Sequence, residues 1–240
     1  MTEYTKEITA LYLFPVPLSA GPLSQVLPAY NVEIISNIKF FIVENIRSAR
    51  RFLKQCNRDI NIDELTFYEL NGHTDPGSIP SMLDPMKEGH SMGIISEAGC
   101  PAIADPGADV VAIAQKRGYK VVPLVGPSSI LMSLMGSGFN GQSFAFNGYL
   151  PIDKDKRVSF FKLMQQRVIK EKQTQIFIET PYRNNKLIAE IASTFPGNML
   201  LCVASDITGE KQSILTRTCA EWKKSSYNYD KVPTIFLIFA

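Results

Sequence analysis

The stretch SMGIISEAGCPAIADPGADVVAIAQKRGYKVVPLVG (residues 91–126) holds two strand patterns with a helix pattern between them. The apolar runs 91–96 and 119–126 predict strands. Residues 108–118 have apolar side chains at helical spacing, basic residues in the last turn and a glycine as a stop, which predicts a helix. A loop rich in glycine and proline follows the first strand. This order is typical of an α/β fold with a largely parallel or mixed sheet.

The same alternation continues on both sides of this stretch. Upstream, 10–16 and 39–45 predict strands, and a helix is expected from Ile46 to about Cys56. Downstream, we predict helices over 127–138 and 185–195 and strands over 143–149, 174–179, 199–207 and 234–240. We therefore predict two α/β domains, residues 1–125 and 126–240, divided in a region rich in glycine and proline.

Composition excludes several classes of protein. The chain has 240 residues and a net charge of +2, an ordinary globular balance that does not by itself indicate a nucleic-acid binder. Its four cysteines form no C-x-x-C pair and its two histidines lie apart from them, so we expect neither a metal site nor disulfides. Reduced thiols indicate a cytoplasmic location. The acidic N-terminus predicts no signal peptide, and no apolar run is long enough for a membrane-spanning helix.

Four loops at predicted strand ends are rich in small residues and prolines: 15–22, 96–107, 126–129 and 179–183. Ligands of open α/β sheets bind beyond the carboxyl ends of the strands. Any one of these loops is compatible with an ordinary turn, but four of them together favour a pocket built from several strand ends. None of these loops carries a Walker phosphate loop, a G-x-G-x-x-G fingerprint or a G-x-S-x-G elbow. This disfavours an ATP-hydrolysing enzyme, a standard dinucleotide-binding fold and an α/β-hydrolase.

Residues 93–151, with SEAGCP, DPG, VPLVGPSS and NGYLP in order, closely resemble the tetrapyrrole methylase superfamily. The most similar branch is one of ribosomal RNA methyltransferases that act on the 2′-hydroxyl of a cytidine. Segments 11–19, 43–54, 178–183 and 203–208 resemble further motifs of that branch. Several motifs differ: Glu97 stands where the branch has aspartate, Cys100 where it has threonine, and 44–47 reads E-N-I-R instead of E-D-T-R.

The resemblance implies a homodimer of two-domain subunits with S-adenosyl-L-methionine held, largely by backbone groups, in a cleft between the domains. The residues that would line this cleft by position in the motifs are Pro17, Ser96, Glu97, Ala98, Gly99 and Pro101. Further candidates are Ser128, Ser129, Phe146, Gly148, Thr180, Pro181, Ala204, Asp206, Pro233 and Thr234.

The resemblance also implies methyl transfer to ribosomal RNA, with RNA as the substrate partner. One alternative is a small-molecule methyltransferase acting on a tetrapyrrole-like substrate. Another, favoured by the altered substrate-side motifs, is a cofactor-binding protein that has lost catalysis. Tight cofactor binding without transfer would favour that last alternative, whereas salt-dependent binding to RNA would favour the first reading.

Glu44 and Arg47 are the catalytic candidates. A hydroxyl acceptor needs a base, and Glu44 follows an apolar strand, which places its carboxyl at the carboxyl end of that strand. Its alternative role is an acidic residue that stabilises the first turn of the next helix. Glu97 is expected near the methionine moiety of the cofactor, or is a loop carboxylate in solvent.

Basic residues form two runs. Residues 46–58 carry five Lys or Arg and no acid, and Arg47, Arg51 and Lys54 share one helical face, which is either a phosphate-binding face or a solvated one. Residues 154–172 carry seven basic residues against two acids. His73 is either a substrate contact or a surface loop residue. Tyr182 and Arg183 are candidates for substrate contact, and a structural salt bridge is the alternative for Arg183.

Overall fold

The computed structural model describes residues 9–240 and divides into two compact units, one ending at Pro127 and the other beginning at Ser128. The predicted absence of a signal peptide concerns in part residues 1–8, which lie outside the described residues. Each unit is built on its own five-stranded sheet with helices packed against it. The predicted α/β class is therefore confirmed.

The first unit contains a wholly parallel sheet in the order β3-β2-β4-β1-β5. Its strands are β1 (Ala10–Phe14), β2 (Phe40–Val43), β3 (Thr66–Glu69), β4 (Met92–Ile95) and β5 (Lys120–Pro123). Its helices are α1 (Ala29–Ser36), α2 (Ile46–Cys56), α3 (Asp84–Lys87) and α4 (Gly107–Lys116), with 3-10 turns at Leu23–Gln25, Ile62–Glu64 and Pro76–Leu83.

Successive residues of the central strands enter two different hydrophobic clusters. Ile94 packs with Leu11 and Ile42 on one face of the sheet, whereas Ile95 packs with Phe14 and Phe41 on the other. A sheet that is buried on both faces needs strands that are apolar throughout, and this is why the central strands read as continuous apolar runs in the sequence.

The second unit contains a mixed sheet in the order β6-β7-β10-β8-β9, in which only β6 and β7 are parallel. Its strands are β6 (Phe144–Tyr149), β7 (Thr174–Ile178), β8 (Leu200–Ser205), β9 (Ser213–Thr218) and β10 (Thr234–Phe239). Its helices are α5 (Ser129–Ser137), α6 (Lys154–Glu171), α7 (Asn184–Thr194) and α8 (Cys219–Lys224), with a 3-10 turn at Pro181–Arg183.

One hydrophobic cluster holds the second unit together. It joins the three internal strands to α6, α7 and α8, and it includes Phe161, Phe177 and Trp222 as fully buried aromatic residues. The indole N–H of Trp222 donates to the carbonyl of Leu201 at 2.8 Å, so the ring is buried without an unpaired donor.

The strands and helices expected from the sequence are present, and two further strands were not predicted. These are β3 and β9, each at an edge of its sheet and largely half-buried or exposed. Because edge strands bury little side-chain surface, their sequences, TFYE and SILTRT, lack the apolar run that marks a central strand.

Candidate functional site

The candidate site of the first unit lies at the carboxyl edge of its parallel sheet. Val43 pairs with Ile95 at the ends of β2 and β4, so the residues that follow these two strands are neighbours. Glu44 follows β2, and Ser96 and Glu97 follow β4. Parallel strands bring their carboxyl ends to one edge, where ligands of open α/β sheets bind.

A chain of hydrogen bonds connects these residues to α2. The backbone N–H of Glu97 donates to Oε2 of Glu44 at 2.8 Å, and the hydroxyl of Ser48 donates to Oε2 of Glu97 at 3.1 Å. The side chain of Asn45 caps α2 by accepting from the backbone N–H of Ser48 at 3.0 Å. Glu44 therefore precedes the capping residue. The alternative prediction placed Glu44 in the first turn of α2, but it lies outside that turn.

Backbone hydrogen bonds connect the loop after β4 to the loop after β1. Val16 and Gly99 exchange two backbone hydrogen bonds of 2.9 and 3.1 Å, which brings Pro17 beside the Gly99 segment. Gly99 is buried and has a φ of 71°, a conformation that favours glycine. The thiol of Cys100 donates to the carbonyl of Pro127 at 3.4 Å. These contacts bring predicted cofactor residues from two strand ends together.

Asp105 was not singled out from the sequence, yet it organises the far end of this loop. Its carboxylate accepts from the backbone N–H of Ala102 at 2.9 Å and from that of Gly107 at 2.7 Å, where α4 begins. Ala102 and Ala104 both have positive φ, so the turn needs this support. The signal in the sequence was Asp-Pro-Gly, since an aspartate before such a pair commonly closes a turn with its own side chain.

A small recess opens at this edge and brings two carboxyl groups together. Glu44, Ser96 and Asp105 line it with apolar residues of β2 and β4, and its volume of about 10 Å³ suits a water molecule or a single hydroxyl. Burial raises the pKa of Glu44 above its usual value, the charges of Asp105 and Glu97 add to this, and the hydrogen bond from the Glu97 N–H opposes it. Burial also raises the pKa of Asp105, against its two backbone hydrogen bonds.

The hydroxyl of Ser96 is buried in this recess and has no hydrogen-bond partner among residues 9–240. A buried unpaired polar group costs about 1–3 kcal/mol and is uncommon in folded proteins. It is therefore a natural contact point for a polar group of a ligand. Glu97 and Ala98, next along the chain, are exposed, whereas Pro101 is buried.

The other candidates of the first unit lie on its surface. Arg47 is exposed in the first turn of α2. Arg50 lies over the ring of Phe67, with its guanidinium carbon 5.4 Å from the ring centroid. His73 is exposed in a turn where its backbone N–H donates to the Asn71 side chain, as expected for a surface loop residue.

In the second unit, candidates from several strands gather at one end of the sheet. The N–H of Asp206 donates to the carbonyl of Pro233 at 3.0 Å, and the N–H of Lys231 donates to the carbonyl of Pro181 at 3.2 Å. The amide of Asn184 donates to the hydroxyl of Thr234 at 3.1 Å. These bonds join the ends of β7 and β8 to the start of β10.

The remaining candidates of this unit have structural contacts of their own. The hydroxyl of Ser128 caps α5 by accepting from the backbone N–H of Leu131, and Ser129 begins that helix. Ala204 is fully buried inside β8. The candidates on β6, at the edge beside β7, are Phe146 and Gly148.

Arg183 forms a salt bridge with Glu179, which was the alternative to its predicted role in substrate contact. Its Nη2 lies 2.7 Å from Oε1 of Glu179, a carboxylate whose side chain is only 2% exposed. The Nε of Arg183 also donates to the hydroxyl of Thr180 at 3.0 Å, which holds this predicted cofactor residue in place. Tyr182, between them, is 75% exposed.

The described part of the chain holds neither a candidate metal site nor a helix that could span a membrane. Among residues 9–240, no three His, Cys, Asp or Glu side chains are grouped to hold a metal ion. In the same range, no helix has the length and apolar character that crossing a bilayer demands. All four cysteines are free, and burial raises the pKa of Cys56 to about 12.

Comparison with solved structures identifies the fold. Diphthine synthase superimposes with a TM-score of 0.67 at 14% identity, over 97% of this chain and 90% of the other. The methyltransferase CobJ superimposes with a TM-score of 0.63 at 12% identity, over 97% and 93% of the two chains. This chain, with its two sheets, shares the tetrapyrrole methylase fold of these structures.

Comparison with curated proteins shows which named proteins the chain resembles in sequence. A protein of Vibrio cholerae named ribosomal RNA small subunit methyltransferase I is 28% identical over 232 residues, which cover 95% of this chain and 76% of that protein. A protein of Streptococcus pyogenes with the same name is 31% identical over 86% of this chain, and the chain spans 63% of its length. No family model matches the chain. The chain therefore has the tetrapyrrole methylase fold, its predicted resemblance to ribosomal RNA methyltransferases is confirmed, and the methyltransferase names of these relatives agree with the predicted enzyme class.

Proposed function

We propose that the chain transfers a methyl group from S-adenosyl-L-methionine to RNA, at the ribose 2′-hydroxyl of a ribosomal RNA cytidine. The name of its curated relatives supports RNA as the substrate. The observation that carries the chemistry is the carboxylate of Glu44, held at the sheet edge by the Glu97 N–H and facing a recess of the size of one hydroxyl.

The residues after β4 suit the cofactor. The unpartnered hydroxyl of Ser96 offers a polar contact, and the exposed carboxylate of Glu97 complements a sulfonium cation. The small, exposed side chain of Ala98 leaves the backbone of this segment accessible to a ligand, next to the Val16–Gly99 hydrogen bonds that bring Pro17 close. When bound, S-adenosyl-L-methionine supplies an electrophilic methyl group. The candidates of the second unit named above stay part of this proposal.

Glu44 acts as the general base in this proposal. With S-adenosyl-L-methionine bound, the acceptor oxygen would bond to the methyl carbon as the carbon–sulfur bond breaks to release S-adenosyl-L-homocysteine, and the carboxylate of Glu44 would take up the hydroxyl proton. A carboxylate whose pKa is raised by burial and by neighbouring charges takes up a proton more readily. Arg47, one turn away and exposed, would hold a phosphate next to the acceptor ribose.

We also propose a homodimer and a cytoplasmic location. Leu131 and Met135 lie four residues apart on α5 and are 51% and 83% exposed. Such apolar side chains on one helix face are typical of a protein–protein interface. Sedimentation velocity on the native chain and on a Leu131→Glu, Met135→Glu variant tests this: the native chain should sediment as a dimer and the variant as a monomer. Four free thiols support a reducing compartment.

Methyl transfer to isolated small ribosomal subunits and to their naked RNA tests the enzymatic proposal directly. After incubation with methyl-labelled cofactor, nuclease digestion and mass spectrometry should reveal 2′-O-methylcytidine. Label on a tetrapyrrole acceptor instead would indicate a small-molecule enzyme. Saturable one-to-one cofactor binding with no labelled acceptor would indicate a protein that has lost catalysis.

A further inference from the structure

The charged face of α2 forms one wall of an open groove. The groove has a volume of about 530 Å³, and Arg51, Lys54 and Arg58 line it with Gln55. The opposite wall is the segment Gly21, Pro22 and Leu23. All of these residues belong to the first unit, so the groove is a feature of that unit alone.

The cations of this groove have no acidic partner within residues 9–240. Salt bridges in that range involve Lys39, Lys87, Arg157 and Arg183, and none of the groove residues. The acids that flank α2 in sequence, Glu44 and Asp59, do not line the groove. Lys54 does donate to the carbonyl of Arg58 at 2.9 Å, which holds its ammonium at the end of the helix.

Helix α2 does not need these charges for its own packing. Ala49, Phe52 and Leu53 are buried and anchor the helix to the first unit, whereas Arg51, Lys54 and Arg58 are exposed. Three unpaired cations in one concave surface create a local positive potential that a net charge of +2 does not reveal.

The groove lies along the helix that begins beside the candidate active site. Helix α2 starts two residues after Glu44, and Ser48 in its first turn contacts Glu97. At a rise of about 1.5 Å per residue, Lys54 lies roughly 12 Å along the helix from Ile46, where α2 begins. An extended polyanion bound in the groove would therefore be long enough to place a neighbouring segment of itself at the recess.

We infer that this groove binds the phosphate backbone of the RNA substrate, outside the residues that carry out methyl transfer. The inference rests on the proposed function for the identity of the polyanion. Phosphate contacts position a nucleic acid and make its affinity depend on salt, because each contact releases condensed counterions.

The test compares two variants with equal change in charge. The groove variant is Arg51→Gln, Lys54→Gln, Arg58→Gln, and the control variant is Lys154→Gln, Lys156→Gln, Lys162→Gln in the other basic run, whose lysines are also exposed. Fluorescence anisotropy with a labelled 20-nucleotide single-stranded RNA gives the affinity of each protein between low and moderate salt.

We expect the groove variant to bind this RNA about tenfold or more weakly than the native chain, and the control variant to bind as the native chain does. The slope of log affinity against log salt should become less negative by about 2, since each contact to a single strand contributes about 0.7. Equal affinity of the groove variant, equal loss in both variants, or no binding by the native chain would overturn the inference.

Cofactor calorimetry and methyl transfer separate this inference from the proposed function. The groove variant should bind S-adenosyl-L-methionine as the native chain does. If the groove variant transfers methyl groups and binds RNA with unimpaired affinity, the RNA-binding role of the groove is refuted and the proposed methyltransferase function stands. Groove-dependent RNA binding without any methyl transfer would refute the enzyme and leave the groove in place.

Discussion

The backbone N–H of Glu97 donates a 2.8 Å hydrogen bond to the carboxylate of Glu44, although the two residues are 53 positions apart in the chain. They meet because β2 and β4 are adjacent and parallel, with Val43 opposite Ile95. The bond fixes one carboxylate at the sheet edge while Glu97 stays exposed. The two groups proposed for base catalysis and for cofactor binding are therefore held side by side.

Replacing Glu44 with glutamine should reduce methyl transfer sharply without abolishing cofactor binding. The amide oxygen of Glu44→Gln still accepts from the Glu97 N–H, but the side chain takes up no proton. General-base catalysis contributes about 10²–10⁴-fold, so a loss of at least about 100-fold in rate is expected. Single-turnover transfer with labelled cofactor measures it. Glu33→Gln, at an exposed position of α1, is the control, and undiminished activity of Glu44→Gln would exclude the base.

Glu44 should also make stability depend on pH. Its pKa in the folded chain is raised above the usual 4.5, so the folded state binds more protons than the unfolded state between the two values. The free energy of unfolding should therefore fall as pH rises from about 4.5 through the raised value. Glu44→Gln removes this contribution.

Urea denaturation of the first unit, followed by circular dichroism at a series of pH values, checks this sign. The difference between Glu44→Gln and the native chain should grow in favour of the variant as pH rises through the raised pKa, and then level off. A constant difference over the whole series would show that Glu44 titrates as it does in an unfolded chain.

Removing the Ser96 hydroxyl should weaken cofactor binding without lowering the free energy of unfolding. Ser96→Ala deletes a buried polar group that has no partner within the described residues, so the free energy of unfolding should stay the same or rise by about 1 kcal/mol. Calorimetry should show weaker binding of S-adenosyl-L-methionine.

The matched control is Ser137→Ala, at another buried serine. The hydroxyl of Ser137 donates to the carbonyl of Leu134 at 2.8 Å and accepts from the N–H of Phe139 at 3.0 Å. Its removal should lower the free energy of unfolding by about 1 kcal/mol. If Ser96→Ala instead destabilises the chain and leaves cofactor affinity intact, the Ser96 hydroxyl serves folding alone.

Loss of Arg183 should destabilise the second unit. Glu179 is buried, and Arg183 is its short-range partner, while Arg157 lies 4.0 Å from the other carboxylate oxygen. Arg183→Met leaves that carboxylate partly unpaired, which should lower the free energy of unfolding by about 2–3 kcal/mol.

The fluorescence of Trp222 reports this change, because it is the single tryptophan of the chain and is buried in the core of the second unit. Tyr182→Ala, at the exposed neighbouring position, should change stability by less than about 0.5 kcal/mol. A larger effect at Tyr182 than at Arg183 would contradict the structural role of the salt bridge.

Much of the architecture could be predicted from local patterns. The apolar runs of β1, β2, β4 and β5, and the helical spacing with Gly118 after α4, mark their elements directly. The edge strands β3 and β9 escaped prediction because they bury little apolar surface, and α6 was noticed only for its charge.

The candidate site could be predicted in part, from motif resemblance and from position after an apolar strand. The motif after β4 predicted Ser96, Glu97 and Gly99 as cofactor residues by resemblance, and the position of Glu44 after an apolar strand predicted a carboxylate at a sheet edge. Asp105 was missed because its role depends on closing a turn with positive φ at Ala102, which no local hydrophobic pattern reports.

The sequence by itself determined the class of fold and the resemblance to a group of methyltransferases, because hydrophobic periodicity and short ordered motifs are local properties of the chain. Only the tertiary structure decided which strand ends are neighbours, that Arg183 is committed to the buried Glu179, and that the cations of α2 face an open groove. These relationships join residues across the sheet or across a turn of the chain, and they depend on strand order and burial, which a local pattern does not encode.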